Sequence, residues 1–477
     1  MAVLGTMEEA GVAPNVFTLT ALFSCLAASR APMSEFQKVR KLAKTVKGYK
    51  SIATCNAMMD YFAVVGDPDR ALEILEEHTK RYGAAPNAIT FTTALKACRI
   101  GGSLKRGREV RSLIERNAAW SPRLCLALLR MYASCDDAFE EAKMFFYRTL
   151  DGDLASSAPA DSATFSVFIS HCTDAKQWEE GETADRRLQK LGIALDTQLA
   201  NSLIQFYGTR RNKEELRLLE ERMQAAGLSL NETLLTSLAI AYTSNGMQKE
   251  CKDLQTLVKK KLREDGAGLD VKLATALITM YGRSAHCSAV SEFYDLMRAL
   301  KVPLNEKITV ALLKAAGLRL QPDFGAAVLQ HAEHSAGSRL TPAVRAAAIE
   351  MFGACNRFQA AQDMFQAAIV QRAATPACWT AMIRACAEQR DGAGVVMTFK
   401  QMTLAGIKLS PDTLFVVLQA LCKCNMCMQA CALLESIESE FQIRPSTRHV
   451  KYVVAILDSE GRLEKARELE QKWGTRD

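Results

Sequence analysis

The feature that most constrains this chain is that it resembles itself. The stretches "IATCNAMMDYFAVVGDPDRALEIL" (52–75), "AITFTTALKACRIGG" (88–102), "SATFSVFISHC" (162–172), "TQLANSLIQFYG" (197–208) and "VKLATALITMYG" (271–282) share one layout. So do "ETLLTSLAIAYTSNG" (232–246), "ACWTAMIRACAEQ" (377–389) and "DTLFVVLQALCKC" (412–424). Units begin near 16, 52, 88, 122, 162, 197, 232, 271, 306, 342, 376, 411 and 447, spaced by 34 to 40 residues. This gives a partial unit over 1–15, twelve tandem units over 16–446 and a C-terminal unit or cap over 447–477. A period of this size is the mark of a stacked array rather than of several separate cores.

Each unit reads as two helices. The first closes at a Gly near its fifteenth position in several units (Gly66, Gly102, Gly246, Gly461), the residue that most easily takes the left-handed conformation. The second carries a small residue on its inner face (Ala71, Gly181, Ala361, Ala430, Ala466), which lets helices approach closely, and stops at Gly11, Gly192, Gly227 or Gly406. A hairpin of this size cannot bury its apolar face alone, so stacking creates the core. The expected fold is all-α, a right-handed superhelical solenoid of helix-turn-helix repeats of about 35 residues. With 49% hydrophobic but only 7% aromatic residues, about three quarters helix is expected, against roughly a third in ordinary globular domains. The segment "DGDLASSAPAD" (151–161) reads as a loop insertion lengthening one unit.

Within the first helix, positions two, five and nine lie at i, i+3 and i+7 and so form one stripe. In the unit starting at 197 these are Gln198, Asn201 and Gln205, opposite Leu199, Leu203 and Phe206. The fifth position is repeatedly a short hydrogen-bonding residue: Thr20, Asn56, Thr92, Ser166, Asn201, Thr236, Thr275 and Thr380. Such residues are mediocre in a helix interior. A capping role would put them at the helix start, not a full turn in.

The best instances of the repeat are "ITFTTALKACRIGGSLKRGREV" (89–110), "WTAMIRACAEQRDGAGVVMTFKQMTLAGI" (379–407) and "HVKYVVAILDSEGRLEKARELEQKW" (449–473). They resemble pentatricopeptide repeats, over nearly the whole chain. The tetratricopeptide pattern, with its Trp and Tyr/Ala spacing, does not fit. The resemblance implies binding of single-stranded RNA, about one base per repeat, on the concave face. It implies that the fifth and last residues of a unit read the base. The last residues are Asn87, Asp196, Asn231, Asp270 and Asn305, which also suit helix caps for the following unit.

Four consecutive units thus pair Ser166 with Asp196, Asn201 with Asn231, Thr236 with Asp270, and Thr275 with Asn305; Asn56 pairs with Asn87 in an earlier unit. Under the family's code these four read 5′-G-pyrimidine-G-A-3′, with the chain's N-terminus toward the 5′ end. The chemistry is coherent, because a carboxylate only accepts, which suits guanine's N–H donors, whereas Asn both donates and accepts. The second position departs from the family's usual Val, holding Ala53, Ala163, Gln198, Thr233, Lys272 and Lys307, which weakens stacking. Leu126, Val310, Ala346 and Phe415 occupy the fifth position in units read as spacers or protein-contact surfaces.

The remaining features point to no chemistry of the chain's own. A net charge of +7 over 477 residues is mildly basic and favours a polyanion along one surface. Fifteen cysteines without framework spacing read as free thiols in a reducing compartment. Cys422, Cys424, Cys427 and Cys431 straddle a helix end with no His nearby, so buried thiols are expected rather than zinc. His331 and His334 are read as part of a solvated helix face, and "GGSLKRG" (101–107) as an inter-helix turn. The deaminase-like or nuclease tails that some relatives carry leave no signature here. No cofactor, metal, membrane or small-molecule substrate is expected, and no apolar run approaches the ~20 residues that span a bilayer.

The reading is therefore a non-catalytic RNA-binding protein of organellar RNA metabolism (stabilisation, processing, editing or translation). Its partners would be single-stranded RNA and RNA-processing or ribosomal proteins. A chloroplast or mitochondrial location follows from the resemblance, since "MAVLGTMEEAGVAPN" has neither an apolar signal core nor transit-peptide character. The alternative is a scaffold, such as a ribosome-associated subunit, using the same surface for proteins or structured RNA.

Overall fold

The computed structural model describes residues 7, 11, 14–46, 49–117, 120–135, 137–152, 154, 159–265, 271–283, 288–299, 304–335, 340–441 and 445–473. Helix makes up 79% of them, and no strand occurs among the described residues. The chain divides into two compact units, Met1–Ser237 and Leu238–Asp477.

In the first unit, first helices α1 (Val16–Ala28), α3 (Ile52–Val65), α5 (Ala88–Ile100), α7 (Pro122–Tyr132), α9 (Ser162–Asp174) and α11 (Thr197–Arg210) set the period. They alternate with second helices α2 (Met33–Ala43), α4 (Pro68–Glu76), α6 (Leu104–Asn117), α8 (Phe139–Leu150), α10 (Trp178–Lys190) and α12 (Lys213–Ala225). Helix α13 (Glu232–Asn245) contains the division and is followed by α14 (Gln248–Asp265). The second unit continues with first helices α15 (Val271–Arg283), α17 (Glu306–Leu318), α19 (Pro342–Ala354), α21 (Pro376–Glu388), α23 (Pro411–Lys423) and α25 (Thr447–Ser459). Its second helices are α16 (Ser288–Ala299), α18 (Pro322–Ser335), α20 (Phe358–Val370), α22 (Gly392–Leu404), α24 (Cys427–Phe441) and α26 (Leu463–Trp473).

Each first helix packs on the next first helix, α1 on α3 through α9 on α11, and α15 on α17 through α23 on α25. The side chains that make these contacts are the apolar positions of the repeat. In α11, Leu199, Ala200, Leu203, Ile204, Phe206 and Tyr207 are all buried. Small residues on the second helices admit the neighbour: Ala71, Ala361 and Ala430 are fully buried, and a Cβ on Gly181 would lie 2.3 Å from the ring of Phe206.

The turn between the paired helices is more regular than its residues. Gly66, Gly102, Gly246 and Gly461 have positive φ there, as expected, but so do Arg30, Lys176, Arg211, Leu320, Asn356, Arg390 and Asn425 at the same position of their units. Every described fifteenth position is thus left-handed. The tight reversal is imposed by the packed helices on both sides, which override the ordinary cost of that conformation outside glycine.

Candidate nucleic-acid interface

The fifth-position residues lie one turn into their helices, and most are half-buried on the face the first helices share. Asn56, Thr92, Asn201, Thr236, Thr275 and Thr380 are all of intermediate exposure. Their hydroxyls donate to their own helix: Thr92 Oγ1 to Ile89 O (2.9 Å), Thr236 to Glu232 O (2.7 Å), Thr275 to Val271 O (2.7 Å) and Thr380 to Ala377 O (3.0 Å). The proton is thereby held inward and the oxygen lone pairs are what the threonines present outward. Asn201 Oδ1 accepts from Ser237 Oγ at 2.5 Å, a contact one repeat along. Asn56 Oδ1 is buried and has no hydrogen-bond partner among the described residues.

Ser166 is placed differently. It is 2% exposed and bonded to Ser202 (2.9 Å), which also accepts from Ser170 (3.0 Å). That hydroxyl cluster lies between adjacent repeats rather than on the open face.

The last-position residues are helix caps. Oδ1 of Asn87, Asp196, Asn231 and Asn305 accepts from the backbone N–H of Thr90 (3.0 Å), Leu199 (2.8 Å), Leu234 (3.0 Å) and Ile308 (2.9 Å). Capping explains why these columns hold Asn and Asp, and it leaves the second atom of each head group available. Asp196 is the exception, since its Oδ2 also accepts from Ser162 Oγ at 2.6 Å. Asp270 lies outside the described residues.

Charge on this face is uneven. Ion pairs link first helices about one repeat apart, Lys96 to Asp60 (2.7 Å), Arg384 to Glu350 (2.6 Å) and Lys423 to Glu388 (2.6 Å), while Arg106 to Asp69 (2.6 Å) and Arg187 to Asp151 (2.5 Å) join neighbouring second-helix segments. Between α5 and α7 a cleft of about 390 Å³ is lined by Thr92, Lys96, Arg99, Arg123, Leu126 and Arg130. None of its three arginines has a carboxylate partner among the described residues. The sequence reading missed them, although they stand at position twelve of one unit and positions two and nine of the next, and a tally of those columns would have found them.

Features read as structural behave so in part. Cys422, Cys427 and Cys431 are buried free thiols, whereas Cys424, also expected to be buried, is half-exposed; burial raises the pKa of each. Of the stretch 101–107 read as a turn, 101–103 form it and 104–107 already belong to α6. His331 is half-buried, with Nδ1 2.9 Å from the Tyr294 hydroxyl, instead of lying on a solvated face; His334 Nδ1 lies 2.6 Å from Gln330 O.

Two family models match the chain, a pentatricopeptide repeat domain over residues 48–99 and a single such repeat over 377–407. A chloroplastic pentatricopeptide repeat-containing protein of Arabidopsis thaliana is 22% identical, covering 97% of this chain and 69% of its own length. A mitochondrial one from the same plant is also 22% identical, over 88% of this chain and 42% of its own length. Among solved structures, the pentatricopeptide repeat protein PPR10 from maize aligns with a TM-score of 0.61 at 15% identity, covering 99% of this chain and 70% of that one. The same protein in complex with an 18-nucleotide psaJ RNA element aligns at 0.56 and 17% identity, covering 99% and 66%.

Proposed function

We propose that this chain, which belongs to the pentatricopeptide repeat proteins, binds single-stranded RNA along the face of its first helices and acts on it without catalysis of its own. The observation that carries the reading is the column of half-exposed polar fifth residues that recurs in several units, matched by a capping Asn at the unit's end for Asn56 with Asn87, Asn201 with Asn231 and Thr275 with Asn305. Hydrogen-bonding groups spaced at that interval suit successive unstacked bases. Asn201 with Asn231 is the best-presented pair. Ser166 with Asp196 contributes least, because both partners are engaged within the protein. The unpaired arginines of the α5/α7 cleft supply the sequence-independent part by holding phosphates. Bound RNA would be kept extended, protected from nucleases or presented to processing or translation machinery, in a chloroplast or mitochondrion as the relatives' names suggest.

The test is selection from a randomised RNA pool followed by anisotropy titration of the winners. Enrichment of a G-pyrimidine-G-A core, lost in the Asn201→Ala/Thr236→Ala double variant at unchanged helicity, is the expected result; a pool that stays random refutes the base-reading roles. In the second unit one observation favours a protein-contact role instead. The cleft of about 400 Å³ between α17, α19 and α21 is lined largely by Leu313, Gly317, Leu318, Ala347 and Met351, and the Arg384 beside it is already paired.

A further inference from the structure

On the first helices of the second unit the fifth position holds Val310 in α17, Ala346 in α19 and Phe415 in α23, none of which can hydrogen-bond a base edge. Two largely apolar clefts open on that face instead. The one of about 400 Å³ between α17, α19 and α21 is lined in part by Leu313, Ala347 and Met351, with Leu318 66% exposed at its edge. A second, of about 460 Å³, lies between α21, α23 and α25 and is lined in part by Val416, Tyr452 and Ile456. Both reach Arg384 and Glu388, so the clefts adjoin across α21.

Charge decides what such a surface can hold. Arg384 is taken up by Glu350 (2.6 Å) and Lys423 by Glu388 (2.6 Å), so the ridge between the clefts offers a phosphate little. Lys314, one turn before Leu318 on α17, has no carboxylate partner among the described residues. An extended segment laid here would find few groups to bond its backbone, whereas a helix satisfies its own and buries only side chains. Neighbouring first helices pack roughly 8–10 Å apart, which puts the clefts, centred on α19 and α23, roughly 16–20 Å apart, the rise of about 11 residues of helix. Residues at i, i+4, i+7 and i+11 share one face. We propose that the second unit docks an amphipathic helix of a partner protein, with a large apolar residue at each end of that stripe, one per cleft, and a carboxylate beside the first to meet Lys314. The proposal rests on the protein-contact reading of this unit given above.

The probe is a phage-displayed library of helical peptides of about four turns, randomised along that stripe and its flanks and panned on the full chain. Winners should carry large apolar residues about 11 positions apart with an acidic residue next to one of them. Anisotropy titration of a synthetic winner should show affinity at least about 10-fold lower with Leu318→Glu or Ile456→Glu, and unchanged with Leu191→Glu, at an exposed leucine of the first unit. Leu318→Ser repeats the test with a neutral residue should the glutamate disturb folding. Lys314→Glu should weaken binding too, and a peptide with Lys in place of its acidic residue should restore it. A library that yields no binder, or winners indifferent to Leu318 and Ile456, overturns the docked helix. A dimer of the chain that Leu318→Glu dissociates overturns it as well, giving the face to a second copy. Single-stranded RNA that displaces the peptide overturns the protein-contact reading itself and the docked helix with it.

Discussion

His78 is fully buried between Tyr49 and Tyr82, its ring 5.4 and 5.3 Å from theirs, and neither ring nitrogen has a partner among the described residues. Burial holds its pKa below the ordinary 6.5, opposed by the nearby Glu77 carboxylate. Its folded pKa being depressed, the imidazole takes up a proton more readily in the unfolded chain. Stability is therefore complete above the unfolded value and is lost as pH falls through about 6.5. Urea midpoints measured from pH 7.5 down to 5.5 should fall, and His78→Phe should flatten that fall. At this scale the sequence was legible where a residue answers to its own helix. The columns of Asn and Asp caps could be read from their place just before an apolar run. Ser166 could not, because its fate depends on Ser202, 36 residues on, and that proximity exists only once the repeats have stacked.

Between elements, the contacts that decide stability are the close approaches of second helices to their neighbours. Gly181 faces the buried ring of Phe206, which cannot yield as a flexible side chain would. Gly181→Ala should cost about 1–3 kcal/mol through overpacking, despite alanine's better helix propensity, and thermal unfolding will show the lowered midpoint. Asp185, 1% exposed on α10, accepts from the Tyr207 hydroxyl (2.7 Å) and from both terminal nitrogens of Arg222 on α12 (2.9 and 3.0 Å). Arg222→Ala would leave that carboxylate buried with the tyrosine as its main donor. Because Arg222 keeps a quarter of its surface, the expected loss is near the lower end for a broken buried pair, about 3 kcal/mol in urea unfolding. The two-helix unit and its apolar stripe were legible because periodicity is local. The left-handed turn at Leu320 or Arg390 was not, since nothing in either residue asks for it and only the flanking helices demand it.

Over the whole chain, a net charge of +7 says little until the pairs are removed from it. Many cations are matched to a carboxylate about one repeat away, and what remains on the open face of the first unit includes Arg99, Arg123 and Arg130. Replacing all three with Gln should lower the slope of log affinity against log salt by about 2, at roughly 0.7 per phosphate contact to a single strand. An unchanged slope would place the phosphate contacts elsewhere. The array itself was legible from the chain's self-similarity. Its charge pattern was not, because pairing across a repeat is a property of neighbours.

The ladder of ion pairs has a kinetic consequence. Cations held in those pairs contribute little field of their own, so on the face of the first unit Arg99, Arg123 and Arg130 are a local source of it, and on the RNA-binding reading a polyanion diffusing nearby would be turned toward that cleft before any base is touched. On that reading encounter and recognition are separate events at separate residues: added salt should slow arrival, while substitution of Asn201 should shorten the stay.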